Sequence, residues 1–215
     1  MIVLINPNST ASMTEAMVAT ARETAPRADF VGWTSHNGPP AIQGREDGEA
    51  AAGPLLKLVE IASDKGASAV IIGCFDDTAL TEAQARAACP VIGIGQAAYH
   101  MAAMMGGRFS VVTTLAVSTP ILEENIETYG LTRHLAKVRA SDVPVLDLET
   151  DPDAAEEKVV REILKAEHED NIRTAILGCG GMTGIEAKAR GRTSVRLIDG
   201  VRSAAFVCSG LQKID

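Results

Sequence analysis

The sequence predicts an α/β protein built from two pseudosymmetric halves, each a mainly parallel four-stranded sheet flanked by helices. Short β-branched runs alternate with amphipathic helical stretches along the chain, a pattern typical of parallel sheets. Segments of the first half of the chain also return, in the same order, in the second half. With 215 residues, the chain has room for one large domain or two small ones, since a domain takes roughly 150 residues.

The elements follow from hydrophobic periodicity. One helix is predicted over residues 48–65 and another over 153–168, because apolar side chains recur there at helical spacing. In the first helix they are Ala51, Leu55, Leu58, Val59 and Ala62, and in the second Val159, Val160, Ile163 and Leu164. Strands are predicted near residues 2–5, 29–33, 69–73, 91–93, 110–113, 143–148, 174–178 and 195–198.

The internal repeat has an almost constant spacing. Residues 69–74 and Thr78 correspond to residues 174–179 and Thr183 at an offset of 105. Residues 3–5 correspond to 111–113 at an offset of 108, and residues 91–92 to 197–198 at 106. We therefore assign residues 1–95 with 200–215 to the first half and residues 96–199 to the second, and expect them to pack face to face around a cleft.

Composition and charge exclude several classes of protein. A net charge of -8 disfavours binding to nucleic acid or to anionic lipid, and the few aromatic residues offer no stacking platform for single strands. No apolar run reaches the ~18 residues of a membrane span, and the chain starts directly with a strand rather than a signal sequence. We expect a cytoplasmic protein with a small-molecule ligand and neither nucleic acid nor membrane as partner.

Two of the four cysteines occupy equivalent places in the repeat. Cys74 and Cys179 each end a buried strand, at the edge where open α/β sheets bind ligands. A nearby helix N-terminus lowers a thiol pKa, so we expect both thiols to ionise near neutrality. Facing each other across one cleft, they suit a two-base proton transfer at a single carbon. Cys89 and Cys208 have no repeat partner and are interpreted as packing residues, and no cysteine or histidine spacing predicts a metal site.

Several segments carry a more specific pattern. They are INPNST (5–10) followed by Met13 and Thr14, GPPAIQG (38–44), GCFDD (73–77), HMA (100–102), GCGGM (178–182) and IDGV (198–201). In these segments, and in their order over nearly the whole chain, the sequence resembles the hydantoin racemase branch of the aspartate/glutamate racemase superfamily. Gln43 departs from the pattern, because that branch usually has an acid at this position.

The resemblance implies a cofactor-independent racemase, an isomerase, which inverts C5 of 5-monosubstituted hydantoins or of allantoin in the cleft between the halves. It makes Cys74 and Cys179 the two catalytic bases, needs no metal or other cofactor, and implies a homo-oligomer. We expect the substrate to contact Asn6, Pro7, Asn8, Ser9, Ile42, Phe75, Asp76, Thr78, Ser118, Thr119, Gly180, Gly181 and Met182.

The loop after the first strand has two interpretations. Its side chains and N–H groups hold substrate carbonyl oxygens and stabilise an enolate, or Ser12 and Glu15 form a simple capping box. The repeat gives this loop a counterpart at residues 117–120, where Pro120 suits a first helical turn. The long loop over residues 34–47, entered by Trp33, is a binding element or lid, or else a surface excursion. His100 is interpreted as a structural residue.

Charge favours a neutral substrate. Asp76 and Asp77 stand beside Cys74, and neither Gly-Cys motif is accompanied by a lysine or arginine to clamp a carboxylate. The alternatives are an amino-acid racemase of the aspartate/glutamate type and another superfamily chemistry such as decarboxylation or cis-trans isomerisation. A ligand-binding domain without turnover is the third, and two intact thiols argue against it. The sequence leaves the C5 substituent, and the enantiomer that each cysteine serves, undetermined.

Overall fold

The computed structural model describes residues 1–211 as two four-stranded sheets, in which every pair of neighbouring strands is parallel. The strand orders are β2-β1-β3-β4 and β6-β5-β7-β8, so that the two sheets repeat one topology. The strands are β1 (Ile2–Asn6), β2 (Phe30–Thr34), β3 (Ala69–Ile72), β4 (Val91–Gly93), β5 (Phe109–Thr113), β6 (Leu135–Ala140), β7 (Thr174–Gly178) and β8 (Arg196–Asp199). The predicted fold class is confirmed.

Helices connect successive strands, as parallel pairing requires. They are α1 (Ala11–Thr24), α2 (Arg45–Asp64), α3 (Leu80–Arg86), α4 (Ile94–Met104), α5 (Thr119–Thr128), α6 (Asp147–Thr150), α7 (Pro152–Glu169), α8 (Ile185–Ala189) and α9 (Gly200–Leu211). Short 3-10 turns cover residues 116–118 and 132–134. None of the helices among residues 1–211 is long and apolar enough to cross a membrane.

The inner strands are apolar on both faces because both faces are covered. Along β1, Ile2 and Leu4 face the core between the two sheets, whereas Val3 and Ile5 face the outer layer formed with α2 and α3. This alternation follows from the two-residue period of a strand. Burial on both sides explains why the strands appear in the sequence as continuous apolar runs.

One central core joins the two halves. It includes side chains of both sheets together with α1, α4 and α9, and α9 packs on α1 and α4. Its aromatic centre is Tyr99, whose ring lies 5.3 Å from that of Phe75 and 6.4 Å from that of Phe109. The division of the chain at residues 95 and 200 stays a prediction, and residues 212–215, assigned to the first half, lie outside the described residues.

The two helices predicted from periodicity are present as α2 and α7, each slightly longer than expected. In α2, Ala51, Leu55, Val59 and Ala62 are buried as predicted; Leu58 is only partly buried, and Leu56 is buried instead. Pro120 lies in the first turn of α5, as predicted.

The sixth strand is not where the sequence analysis placed it. Residues 143–146 are an irregular segment and a turn, residues 147–148 are the start of α6, and the strand is β6, at residues 135–140. The apolar pattern of this segment results from burial and not from a strand, since its buried residues are Val143, Val145 and Leu148. β6 is an edge strand that contains Lys137 and Arg139, which hid it from a search for apolar runs.

The capping box predicted at Ser12 and Glu15 is also wrong. Helix α1 begins at Ala11, two residues before the start that an N-cap at Ser12 implies, and its N-cap Thr10 makes no side-chain capping bond. The Thr10 hydroxyl instead donates to the Pro40 carbonyl, at 2.7 Å, and the Thr10 N–H donates to Asn8 Oδ1, at 2.9 Å. Ser12 is exposed in the first turn.

Candidate active site

A single cleft lies where the carboxyl ends of the inner strands of both sheets meet. It encloses about 450 Å³ of space free of protein atoms, a figure that includes the part open to solvent. Its walls are Asn8, Met13, Met17, Ile42, Gly73, Cys74, Phe75, Asp76, Thr113, Thr114, Ser118, Val145, Gly178, Cys179, Gly180 and Gly181. Both Gly-Cys motifs are therefore part of one site.

The two motifs are in direct contact. A methyl group added to Gly180 would lie 3.0 Å from the Gly73 carbonyl oxygen and 3.1 Å from Met17 Sδ. Each motif is also packed against its own inner strand, since the N–H of Gly73 donates to the Ile5 carbonyl and the Gly178 carbonyl accepts from the Thr113 hydroxyl. The chain thus brings the residues beside Cys74 and Cys179 together from the two sheets.

Each sulfur has a backbone N–H two residues further along. The N–H of Gly181 donates to Cys179 Sγ at 3.4 Å, and the N–H of Asp76 favours the thiolate of Cys74 in the same way. The Thr78 hydroxyl also favours the Cys74 thiolate, although it makes no hydrogen bond of standard geometry with any described residue. The local geometry of the two turns is therefore alike.

The expectation that both thiols ionise near neutrality is wrong for the ligand-free cleft. Both cysteines are partly exposed where they line the cleft, but its walls keep most water from the sulfur atoms. Desolvation raises the pKa of Cys179 to about 11, and desolvation with the Asp76 charge raises that of Cys74 further. Helices α3 and α8 begin six residues after each cysteine, too far away for their N-termini to compensate.

The turn after Cys74 is held by the second half of the molecule. Asn125 donates to the Asp76 carbonyl at 2.9 Å, the Tyr129 hydroxyl donates to Asp77 Oδ2 at 2.8 Å, and the Ser118 hydroxyl donates to Asp76 Oδ2 at 3.5 Å. Desolvation raises the pKa of both carboxyl groups to about 7. Asp77 has φ 50°, a left-handed conformation that its bonds to Tyr129 and to the Gly95 N–H stabilise.

The loop after β1 is built around a buried amide. Asn6 donates to Asn8 Oδ1 at 2.8 Å, to the Thr10 carbonyl and to the Thr14 hydroxyl, so Asn6 braces the loop and does not line the cleft. Asn8 does line it. Its Oδ1 is held by Asn6 and by the Thr10 N–H, whereas its Nδ2 donates to Met13 Sδ at 3.5 Å. Because sulfur is a weak acceptor, the Asn8 amide N–H is the part of this side chain that a ligand can engage.

The loop between β2 and α2 lies across the cleft. Ile42 lines it, and the neighbouring Gln43 accepts a hydrogen bond of 2.9 Å from the N–H of Val145, on the opposite wall. Arg45 then forms an ion pair with Glu124 of the second half at 2.9 Å. This loop is therefore not a surface excursion, and its role as a binding element or lid stays a prediction. Gln43 has a structural partner although it does not face the cleft.

Comparison with known proteins agrees with this geometry. The profile of the family described as Asp/Glu/Hydantoin racemase matches residues 2–207. A hydantoin racemase of Rhizobium meliloti is 41% identical over 209 residues, 97% of this chain and 87% of its own. An allantoin racemase from Klebsiella pneumoniae superposes with a TM-score of 0.95 at 36% identity, covering 99% of this chain and 87% of the other. An allantoin racemase from Pseudomonas fluorescens superposes with a TM-score of 0.94 at 36% identity, covering 99% of this chain and 91% of the other.

The chain belongs to the Asp/Glu/hydantoin racemase family. The resemblance seen in the sequence is therefore confirmed, and with it the prediction of an isomerase of the racemase type.

Within this racemase family member, most predicted site residues meet at the cleft. The structure places Cys74, Cys179, Asn8, Ile42, Phe75, Asp76, Ser118, Gly180 and Gly181 on its walls. Outside those walls are Asn6, Pro7, Ser9, Thr78, Thr119 and Met182. Met182 is fully buried in the core of the second half, and Thr78 lines a neighbouring outer pocket. The roles of all these residues stay predictions.

Other residues of the cleft were missed by the sequence analysis. They are Met13, Met17, Gly73, Thr113, Thr114, Val145 and Gly178. The repeat contained a signal for Thr114, because the offset of 108 that relates β1 to β5 carries Asn6 onto it. Met13 and Met17 were detectable as one face of an amphipathic helix.

The remaining candidates lie away from the cleft. Cys208 is buried in the central core and Cys89 packs against the outer layer of the first sheet, in agreement with their interpretation as packing residues. His100 bonds the Gln96 carbonyl at 2.8 Å, and Trp33 lies under Lys65 at 5.4 Å. Among residues 1–211, no group of three or more His, Cys, Asp or Glu side chains is placed to hold a metal ion.

Proposed function

We propose that this protein is a cofactor-independent racemase that inverts C5 of 5-monosubstituted hydantoins or of allantoin, with Cys74 and Cys179 as its two bases. The observation that carries the proposal is the meeting of two thiols, from equivalent strand ends of two sheets, in one cleft. The names of the related hydantoin and allantoin racemases support the substrate class. Homo-oligomerisation and a cytoplasmic location remain expectations, to be checked by sedimentation and by cell fractionation.

The reaction needs one thiolate and one thiol. The thiolate takes the proton from C5, and the electron pair of the broken C–H bond delocalises onto the adjacent ring carbonyl. The thiol on the other face then gives its proton to C5, so that the hand is inverted and the two sulfurs have exchanged roles. No proton is gained or lost overall, and the next substrate of the opposite hand finds the complementary arrangement.

The walls of the cleft fit a flat, neutral ring. Met13, Met17, Ile42, Phe75 and Val145 supply apolar surface. The Asn8 amide N–H supplies a donor for a carbonyl oxygen, which gains negative charge when the proton leaves.

The charge of the cleft disfavours amino-acid substrates. Asp76 is the charged side chain among its walls, and no lysine, arginine or histidine belongs to that set. A free carboxylate in this cleft would meet a like charge with no cation to offset it. A neutral imide ring avoids that repulsion, which makes the aspartate/glutamate type of substrate the weaker candidate.

Polarimetry tests the proposal. Optically pure 5-benzylhydantoin and allantoin are incubated separately with the purified protein after dialysis against EDTA, and free L-aspartate and L-glutamate serve as comparison substrates. We expect rotation to decay to zero for at least one ring substrate, and much faster than for either amino acid. The Cys89→Ser variant keeps three thiols, including the proposed bases, and is expected to act like the parent. Unchanged rotation of every ring substrate, or faster turnover of an amino acid, would contradict the proposal.

A further inference from the structure

The two Gly-Cys turns differ at three equivalent positions, and at one of them, which lines the cleft in both turns, only the first turn has a charged side chain. The offset of 105 that carries Cys74 onto Cys179 also carries Asp76 onto Gly181. Each of these residues directs its backbone N–H at the sulfur two residues before it. One turn therefore has a carboxylate where the other has none.

Asp76 is partly buried at the wall of the cleft, where it also borders the neighbouring outer pocket. It is part of the cleft walls, its Oδ2 accepts from the Ser118 hydroxyl at 3.5 Å, and its carbonyl accepts from Asn125 at 2.9 Å. Around Gly181 the nearest side-chain neighbours are Leu148 and Cys179 itself. The negative charge therefore belongs to the Cys74 side of the site.

We propose that Asp76 is a positioning residue for protons: it keeps Cys74 in the thiol form and makes Cys179 the sulfur that ionises first in the free protein. For turnover, this proposal rests on the proposed function. It then makes Cys179 the base and Cys74 the acid in the protein before substrate binds. A turnover that starts from this state leaves a thiolate on Cys74 beside Asp76. The protein returns to rest when Cys74 takes a proton from solvent and Cys179 releases one.

The neighbouring titratable groups support this order. Desolvation and then the Asp76 charge raise the pKa of Cys74 well above the usual range. Desolvation raises the pKa of Cys179 to about 11; the Gly181 N–H lowers it, and the Asp76 charge raises it as the smallest of the three effects. A negative charge on Cys179 also raises the pKa of Cys74. Beyond Asp76 lie Asp77 and the hydroxyls of Tyr99 and Tyr129; Asp77 is bonded to Tyr129 and Gly95, away from the cleft walls.

Alkylation of the ligand-free protein tests the proposal without any substrate. The full chain is treated with iodoacetamide at pH 8, 8.5 and 9, and the modification of Cys74 and Cys179 is followed by peptide mass spectrometry. Below both pKa values, each rate follows the thiolate fraction, which changes tenfold per pKa unit, and lower intrinsic nucleophilicity offsets part of that change. A like charge at close range shifts a pKa by about one unit or more.

In the parent protein we expect Cys179 to react faster than Cys74 at each pH. Asp76→Asn, which keeps the side-chain shape, and Asp76→Gly, which introduces the residue found at the equivalent position 181, should each speed Cys74 about three- to tenfold and Cys179 less. Glu82→Gln is the matched control, because it removes one negative charge from the outer pocket that Asp76 also borders. It should leave both rates unchanged.

Faster reaction of Cys74 in the parent would overturn the proposal. So would equal acceleration of the two sulfurs in the Asp76 variants, or the same acceleration in Glu82→Gln. Because no substrate is present, these results are independent of polarimetry: a protein that racemises no hydantoin can still show the predicted order of ionisation, and an active racemase can lack it.

Discussion

The Tyr129 hydroxyl donates a hydrogen bond of 2.8 Å to Asp77 Oδ2, which links the end of α5 in the second half to the turn after Cys74 in the first. Ser118 and Asn125, at the start and middle of the same segment, bond Asp76. The position of Cys74 therefore depends on a helix from the other half. The cleft forms only when the two sheets are assembled correctly.

Tyr129→Phe should destabilise the protein more at pH 8 than at pH 5.5. The hydroxyl favours the Asp77 carboxylate, whose pKa desolvation has raised to about 7. Its contribution is present above that pKa and shrinks as the pH falls below it and the carboxyl becomes neutral. We expect a loss of about 1.5–3 kcal/mol at pH 8 in urea unfolding, the usual value of a hydrogen bond to a charged group.

Tyr99→Phe is the matched control. The Tyr99 hydroxyl is buried and has no hydrogen-bond partner among the described residues, so its removal should cost little stability at either pH. Equal losses in the two variants, or a Tyr129→Phe effect that does not change with pH, would show that the bond to Asp77 contributes nothing specific.

Gly180→Ala should reduce kcat with little effect on folding. The added methyl group would lie 3.0 Å from the Gly73 carbonyl, so the two Gly-Cys turns must move apart. Such a contact is relieved by a shift of a few tenths of an ångström. Because a misplacement of about 1 Å around reacting atoms costs about a hundredfold in rate, we expect kcat to fall about three- to tenfold in the polarimetric assay. Gly210→Ala places the same methyl group in open space on α9 and should leave kcat unchanged. A fully active Gly180→Ala protein would mean that the contact between the turns is not needed.

Arg139→Met should cost about 3 kcal/mol of stability at pH 7, because it leaves buried carboxylates without their cation. Arg139 bonds Glu162 at 3.0 Å, Glu169 at 2.7 Å and Asp170 at 2.5 Å. Burial alone would raise the pKa of Asp170, but bonds from Arg139 and Ser110 lower it. The stabilisation is therefore present above the usual carboxyl pKa and is lost as the pH falls through the lowered value.

The measurement is urea unfolding of the parent and variant at pH 7 and pH 3.5, where the difference should shrink. Arg86→Met removes an exposed partner of Glu60, with half of each side chain in solvent, and should change stability by less than about 1 kcal/mol. If the two substitutions cost the same, the cluster around Arg139 does not act as a buried one.

β6 shows why part of the fold escaped prediction. Arg139 is buried only because acids from α7 and its end, distant in sequence, surround it, and local periodicity carries no trace of such partners. The internal repeat did indicate this strand: the offset of 105 places Phe30, the first residue of β2, onto Leu135, the first residue of β6. Comparing the halves was thus a stronger signal than apolar content.

The candidate site, too, could be predicted only in part. Cys74 and Cys179 could be placed because strand ends determine where they lie, and the repeat determines that they are equivalent. The bracing role of Asn6 and the burial of Met182 depend on which way each side chain turns, which the motif letters do not specify. The thiol pKa values were misjudged for a related reason, since desolvation comes from walls that are remote in sequence.

Cys74→Ser and Cys179→Ser should each stop racemisation, and each variant should still exchange the C5 proton of one enantiomer. Inversion needs a base on one face of C5 and an acid on the other, and a hydroxyl is a far weaker base than a thiolate. Proton removal alone needs one thiolate. Each single variant, incubated in D2O, should exchange the C5 proton of one enantiomer with retention, and the two variants should choose opposite enantiomers.

The assay follows deuterium incorporation by NMR for each pure enantiomer, with Cys208→Ser as a variant of a thiol that lies in the core and outside the cleft walls. Base strength also sets the pH dependence: since the pKa of Cys179 is raised to about 11, exchange that depends on it should accelerate as the pH rises from 7 to 9, because the thiolate fraction grows. Full racemase activity in either variant, or exchange of the same enantiomer by both, would replace the two-thiol mechanism with a single-base one.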